Sequence, residues 1–257
     1  MQTNTPELWD RFWSEEETSE QERLFLLREE NSVRWQRMEC VVMREFGSFD
    51  DLKVIEMGAG VGTYAALMAK RGARVTVLDF SDLALARARS FFERNGLSAG
   101  FVQGDALSLP LDMLGKFDVS MSFGLTEHFR GADRVNINKA HVDVLRRGGV
   151  AFICVPNRYN PPYRIFKFVA ERMGAWRVGQ EFPYSRRELR EICSRIGIRE
   201  FEFFGDSVFS SLFFLSPIRA VKKVLGLKLK VSRIRKQKGT ILDPYLSYAL
   251  LLCGKKA

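Results

Sequence analysis

The order of apolar and polar positions divides the chain into a helical opening, a run of short apolar segments alternating with amphipathic ones, and a less regular final third. From residue 6 to 46, WxxFW (Trp9, Phe12, Trp13), LFLL and VRWQRMECVVMREF recur at helical spacing and predict a helical cap. Gly47 and the SFDD turn close it. LKVIEM then passes directly into GAGVGT and the helical AALMAKR, which predicts strand, glycine loop and helix. ARVTVLD repeats the strand pattern ahead of SDLALARARSFFERNG, where Ser81 or Asp82 can cap a helix that stops at Gly96. Further strands are expected near GFVQGD, at FDVSMSF and at GGVAFICVP, with helical segments between them. Repeated βα units imply a mostly parallel sheet covered on both faces.

Beyond Pro156 the alternation loosens. YNPPYRIFKFVAERMGAW reads as a loop followed by an amphipathic helix, YSRRELREICSRIG as a helix, IREFEFFGD as a strand, and PYLSYALLLCGKK as a last strand with a basic tail. There is no internal repeat, low-complexity segment or linker that would separate two domains.

Composition adds limits. With 46% apolar residues and 21 Phe in 257 residues, a sizeable buried core is expected. Cys40, Cys154, Cys193 and Cys253 are scattered, form no CxxC pair and lack metal-ligand spacing, so neither a disulfide framework nor a zinc site is expected; no metal is. MQTNTPELWDRFWSEEE is acidic, without a basic leader, and no apolar run approaches the roughly 18 residues that span a bilayer. The expectation is a cytoplasmic protein without signal peptide or transmembrane helix. The net charge of +9 is local: of 40 Lys and Arg, nine lie in residues 219 to 238, and the other 31 balance the 31 acids.

The chemistry begins at Glu56-Met57-Gly58-Ala59-Gly60-Val61-Gly62, where glycines let the backbone turn tightly off the first strand and approach a nucleotide-like ligand. A dinucleotide fingerprint would be GxGxxG; here the third glycine arrives one residue early and position 63 is Thr, which argues against a dehydrogenase. Asp79, at the end of the second strand, can accept both hydrogen bonds of a ribose diol, although an acid there can also cap the next helix with Ser81. Gly104-Asp105-Ala106 follows the third strand, where a carboxylate and a backbone amide suit an adenine edge; a plain turn carboxylate is the alternative. FDVSMSFGLTEHF lays a strand and a polar loop across the reactive end of such a ligand.

Through VIEMGAGVG, VTVLD, GDA, FDVSMSFGLTEH and LRRGGVAFICVPN, residues 50 to 160 resemble the class I S-adenosylmethionine-dependent methyltransferases, especially the small-molecule branch that includes the ubiquinone and menaquinone C-methyltransferase type. The resemblance implies an α/β, Rossmann-like, seven-stranded sheet, mostly parallel with an antiparallel last strand and helices on both faces. It implies S-adenosyl-L-methionine as cofactor, with Glu56 facing the methionine amino group and Gly58 and Gly60 passing under the cofactor. By the same resemblance Asp79 binds the ribose, Asp105 and Ala106 meet the adenine, Phe123 lies beside the sulfonium, and Ala59, Gly62 and Phe80 complete the cofactor site. A single methyltransferase domain over 1–257 is expected, divided into a helical cap (1–50), a cofactor-binding core (51–157), substrate-side and basic insertions (158–245) and the last strand (246–257).

Asn160-Pro161-Pro162-Tyr163 spells the tetrapeptide with which DNA adenine methyltransferases grip their target amine, but there it follows the fourth strand. Here it follows the fifth, so a structural turn is expected, with Tyr163 at most a pocket wall and nucleic acid disfavoured as a partner. Methyl transfer from a sulfonium is an in-line displacement for which alignment and exclusion of water matter most. Where a base is needed, His128 beside Glu127 is the candidate pair, whereas His141 is read as a surface or packing residue. Trp9, Phe12 and Trp13 either anchor their own helices or fold over the cofactor as a lid.

Residues 207 to 238, SVFSSLFFLSPIRAVKKVLGLKLKVSRIRKQK, join a Phe-rich run to nine positive charges. A solvated helix face, an anionic membrane surface and a phosphate backbone are the three readings, and the apolar half favours membrane over nucleic acid. The sequence therefore reads as methyl transfer to an O, C or N atom of a small, apolar or lipid-like acceptor, with an RNA or DNA methyltransferase and a catalytically inactive cofactor-binding subunit as alternatives.

Overall fold

The computed structural model describes residues 5–14, 18–211 and 234–257. Its strands are β1 (Lys53–Met57), β2 (Arg74–Asp79), β3 (Gly100–Gln103), β4 (Phe117–Phe123), β5 (Leu145–Pro156), β6 (Ile198–Gly205) and β7 (Ala249–Lys256). They form one seven-stranded sheet in the order β3-β2-β1-β4-β5-β7-β6. Strands β1 to β5 run parallel, and β7 is antiparallel to both of its neighbours. The strand order reverses between β1 and β4. At such a switch point the connections leave in opposite directions and open a crevice beyond the carboxyl ends of the strands.

Three helices precede the sheet: α1 (Pro6–Trp13), α2 (Ser19–Glu30) and α3 (Val33–Phe46). Local chemistry fixes their starts. Thr18 and Gln21 form a reciprocal capping box on α2, and Ser32 Oγ accepts the Trp35 amide at 3.1 Å to begin α3. The remaining long helices are α4 (Thr63–Lys70), α5 (Asp82–Arg94), α6 (Gly131–Val144), α7 (Pro161–Arg172) and α8 (Arg186–Ile196). Alternate strand residues separate the two faces. Val54, Val75, Val77, Val119 and Phe152 pack with α3, α4 and α5, whereas Ile55, Met57 and Leu78 pack with α6, and Ile153, Val155 and Leu250 with α8. Burial on both faces explains why β5 reads as an unbroken apolar run.

The helical cap is tied to the sheet by polar contacts as well as by packing. Tyr64 Oη of α4 donates to Glu29 of α2, Arg34 of α3 pairs with Asp206 beyond β6, and Gln36 Nε2 donates to the Gln237 carbonyl at 3.0 Å. Strand β5 begins at Leu145, before the expected Gly-Gly, because Phe117 pairs with Leu145 and a register shift then brings Val119 opposite Val150.

The Pro-Pro-Tyr stretch is not a loop ahead of a helix but the first turn of α7. Asn160 is the N-cap, its Oδ1 accepting the Tyr163 amide at 2.8 Å, and the two prolines occupy positions where no amide is needed. The expected basic amphipathic segment at 207–238 falls mostly on 212–233, outside the described residues. Among the described residues no helix is long and apolar enough to cross a membrane.

His141 lies on α6 with no exposed surface, and neither ring nitrogen has a hydrogen-bond partner. It is a packing residue, and burial lowers its pKa from 6.5 to about 3. Between those values the unfolded chain binds a proton that the folded chain does not, so this residue's contribution favours folding above pH 6.5 and turns against it as pH falls. His141→Leu should therefore gain stability relative to the parent by about 1.4 kcal/mol per pH unit below pH 6, read from urea unfolding midpoints at pH 7, 6 and 5. A stability difference that does not change with pH would contradict this assignment.

Candidate functional site

The site is built at the carboxyl ends of β1, β2 and β4. Gly58 and Gly60 turn the chain with positive φ (58° and 54°), and both are closely covered. A Cβ on Gly58 would stand 2.7 Å from Leu125 Cδ1, and one on Gly60 would overlap the Trp13 ring. Asp79, at the end of β2, accepts the Gly60 amide through Oδ2 at 2.9 Å and the Ser81 amide through Oδ1 at 3.0 Å. The cap of α5 is Ser81 itself, whose Oγ accepts the Ala84 amide at 3.1 Å. Asp79 therefore braces the loop instead of capping the helix. Burial raises its pKa, a shift opposed by those amides.

Glu56, on β1 and buried, accepts the Ala65 amide through Oε2 at 2.6 Å. Desolvation raises its pKa to about 8, with Asp79 adding a smaller push in the same direction. The Ala59 amide bonds the Leu78 carbonyl at 3.3 Å, and Gly62 is the left-handed N-cap of α4. Asp105 Oδ1 accepts the Leu107 amide at 2.9 Å, a turn contact, and the residue borders the crevice beside buried Ala106. Phe123, the last residue of β4, stacks on Tyr64 with ring centroids 3.7 Å apart.

Two adjoining cavities occupy the crevice. The larger, about 620 Å³, extends from Gly58, Gly60, Asp79, Phe80, Asp105 and Ala106 to Glu127, His128 and Glu181. The smaller, about 270 Å³, holds Glu56, Thr63, Tyr64, Arg34 and Cys154. They meet at Trp13, Ala59, Phe123, Gly124, Glu127 and Tyr248. Helix α1 covers the larger one: Trp9, Phe12 and Trp13 line it, Asp10 Oδ1 accepts from Ser81 Oγ at 2.5 Å, and Arg87 of α5 donates to the Trp13 carbonyl at 3.2 Å.

At the far end the turn Thr126–His128 carries Glu127 and His128, both buried. His128 Nδ1 donates to the Gln180 carbonyl at 2.9 Å, which leaves Nε2 as the acceptor nitrogen, and Trp9 packs edge-on at 5.0 Å. Burial lowers the His128 pKa to about 4, against the pull of the carbonyl contacts. Burial likewise raises the Glu127 pKa well above the carboxylate range, with Glu181 reinforcing it. One ligand-type atom each of Glu127, His128 and Glu181 lies within 4.8 Å of the others.

Sequence reasoning missed two of these residues. Glu181 lies in the loop between α7 and α8, which has no periodicity; the Phe182 amide bonds the Glu127 carbonyl at 2.8 Å and draws it in. Arg34 sits on a helix pattern that marks it only as polar. Its guanidinium lies 5.6 Å from both the Tyr64 and Phe123 rings. Tyr163 does not line the cavity directly; it is buried and its Oη donates to Glu181 Oε2 at 2.6 Å. Asn160 is wholly buried, with Nδ2 donating to the Leu246 carbonyl at 2.7 Å, so the Asn-Pro-Pro-Tyr side chains are committed to the fold.

Residues 54–149 match the family described as a methyltransferase domain. The ubiquinone biosynthesis O-methyltransferase of Pseudomonas aeruginosa is 30% identical over 139 residues, which is 54% of this chain and 57% of that protein. That of Caulobacter vibrioides is 27% identical over 154 residues, 60% and 59% of the two chains. The chain thus spans less than two thirds of the length of either relative. The fold is shared with a SAM-dependent methyltransferase, possible histamine N-methyltransferase, of Thermotoga maritima (TM-score 0.61, 17% identity, covering 98% of this chain and 99% of that one). It is shared also with magnesium protoporphyrin IX methyltransferase of Synechocystis with bound SAH (TM-score 0.57, 14% identity, 98% and 94%). The same Synechocystis enzyme is also known with bound SAM (TM-score 0.54, 13% identity, 98% and 90%), which makes S-adenosylmethionine the ligand to compare with this site. The residues present fit it: Gly58 and Gly60 border the larger cavity together with Asp79 and Asp105, and buried Glu56 lines the smaller one with Arg34.

Ser81 joins two features of the site, the α5 cap and the seat of α1. Ser81→Ala should cost about 1–2 kcal/mol in urea unfolding and should speed proteolytic cleavage within the first 14 residues. Unchanged cleavage would detach α1 from this contact.

Proposed function

We propose that the protein transfers a methyl group from S-adenosylmethionine to a small acceptor with an apolar body. The continuity of the two cavities past Phe123 carries this reading: the smaller holds Glu56 and Arg34, suited to an amino acid, and the larger runs from Asp79 and Asp105, suited to a nucleoside, to the aromatic residues Trp9, Phe12 and Phe129. In this reading Asp79 takes the ribose hydroxyls, Asp105 and Ala106 the adenine, and Phe80 its face. Glu56 and Arg34, which line the smaller cavity, take the amino-acid end, a carboxylate for its ammonium and a guanidinium for its carboxylate. When bound, the cofactor supplies an electrophilic methyl group on sulfur. The chain aligns and dries the site: Phe123 and Tyr248 wall the junction, and α1 excludes water from above. His128 is neutral above about pH 4 and offers Nε2 as a hydrogen-bond acceptor to the incoming molecule.

The names of the relatives and the aromatic walls Trp9, Phe12 and Phe129 support a small-molecule acceptor over a nucleic acid. The committed Asn160 side chain points the same way. Peripheral contact with an anionic membrane through residues 207–238 stays part of the proposal on sequence grounds alone, because 212–233 lie outside the described residues.

The reading predicts proton release. Glu56 is protonated below about pH 8 in the free protein, and an ammonium beside it favours the ionised form. Binding of S-adenosylhomocysteine should therefore release a proton at pH 7 and tighten as pH rises toward 8, seen by calorimetry in two buffers of different ionisation heat. Glu56→Gln should remove that release and weaken binding about 10- to 100-fold. No uptake by the unaltered protein would refute the donor site.

A further inference from the structure

Glu127 and Glu181 form a carboxyl pair that the donor site does not use. Glu127 is 2% exposed, and its Oε2 is buried without a hydrogen-bond partner. Glu181 receives one neutral donor, Tyr163 Oη at 2.6 Å. Two carboxyl groups this close in a dry pocket are stable only if they share a proton or meet a cation. The nearest acids of the surrounding cations lie outside the pair: Arg34 pairs with Asp206, Arg134 with Glu188 at 2.7 Å, and Lys167 with Glu171 at 2.8 Å, while the Lys167 charge also favours ionised Glu181. The pair opens on the larger cavity, where Trp9, Phe12, Phe129 and Tyr248 supply aromatic surface.

We propose that Glu181 and Glu127 together bind a protonated amine carried by the acceptor, with Trp9 and its aromatic neighbours flanking the charge. The inference deepens the donor-site reading above and rests on it. An ammonium group has the three donors that the unpartnered Glu127 oxygen, the free Glu181 oxygen and His128 Nε2 call for. Aromatic faces attract the same charge and cover the apolar body attached to it. A bare metal ion would use the three ligand atoms but would gain nothing from that aromatic wall. Glu181 is thereby a specificity-determining residue that distinguishes amines from neutral isosteres.

The test is calorimetry on the full chain saturated with S-adenosylhomocysteine, titrated with 2-phenylethylamine and with 2-phenylethanol, its neutral isostere. The amine should bind about 10- to 100-fold more tightly than the alcohol. Glu181→Gln should keep S-adenosylhomocysteine uptake, which certifies its fold, and should lose most of the amine preference. Trp9→Leu, as a second variant, should weaken the amine more than the alcohol. Equal binding of the two probes, binding of neither, or a preference that survives Glu181→Gln overturns the proposal while leaving the donor site intact. A preference that requires added Mg²⁺ or Zn²⁺ and vanishes with EDTA overturns it in favour of a metal. Failure of the unaltered protein to take up S-adenosylhomocysteine removes both readings.

Discussion

The hydrogen bond from the Gly60 amide to Asp79 Oδ2 is the constraint on which the site depends. It joins the loop after β1 to the end of β2 and holds a positive-φ turn that would otherwise be loose. Through Oδ1 the same carboxylate receives the Ser81 amide, and Ser81 in turn starts α5 and holds α1. One buried acid thus sets the relative positions of the glycine loop, a helix of the sheet layer and the covering helix. Desolvation works against its charge and the converging amides work for it. A ligand hydroxyl arriving there would find an anion already oriented.

Much of this was legible in the chain. The βα order, the mostly parallel sheet and the glycine loop could be read because strands buried on both faces leave long apolar runs, and because glycine suits the positive-φ turn at Gly58 and Gly60, whereas the antiparallel last strand came from the family resemblance. The positions of Glu127 and His128 could be inferred from their place just after β4. Their state could not, since it follows from burial by elements distant in sequence. Glu181 left no signal: it is set by the Phe182 amide on the Glu127 carbonyl, a contact between an irregular loop and a short turn. Arg34 left only that of a polar helix position.

The Asn-Pro-Pro-Tyr stretch shows how the same four residues change meaning with position. After β5 its asparagine becomes a helix cap and its amide holds the Leu246 carbonyl, while the prolines fill sites that need no donor. Asn157, three residues earlier, makes a parallel pair of bonds to the Tyr245 and Ser247 carbonyls, at 2.9 and 3.0 Å. Together they lock the entry to β7 against the exit from β5. The tyrosine is left to hold Glu181, so a motif that elsewhere touches a base here supports an acid.

The placement of the tryptophans gives the molecule a built-in optical reporter. Trp9 and Trp13 line the larger cavity, Trp176 packs against Tyr163 behind Glu181, and Trp35 alone is embedded in the core beneath the cap. Three of the four indoles therefore border or back the chamber, so the intrinsic emission of the unlabelled chain carries information about its contents, with Trp35 as the internal reference.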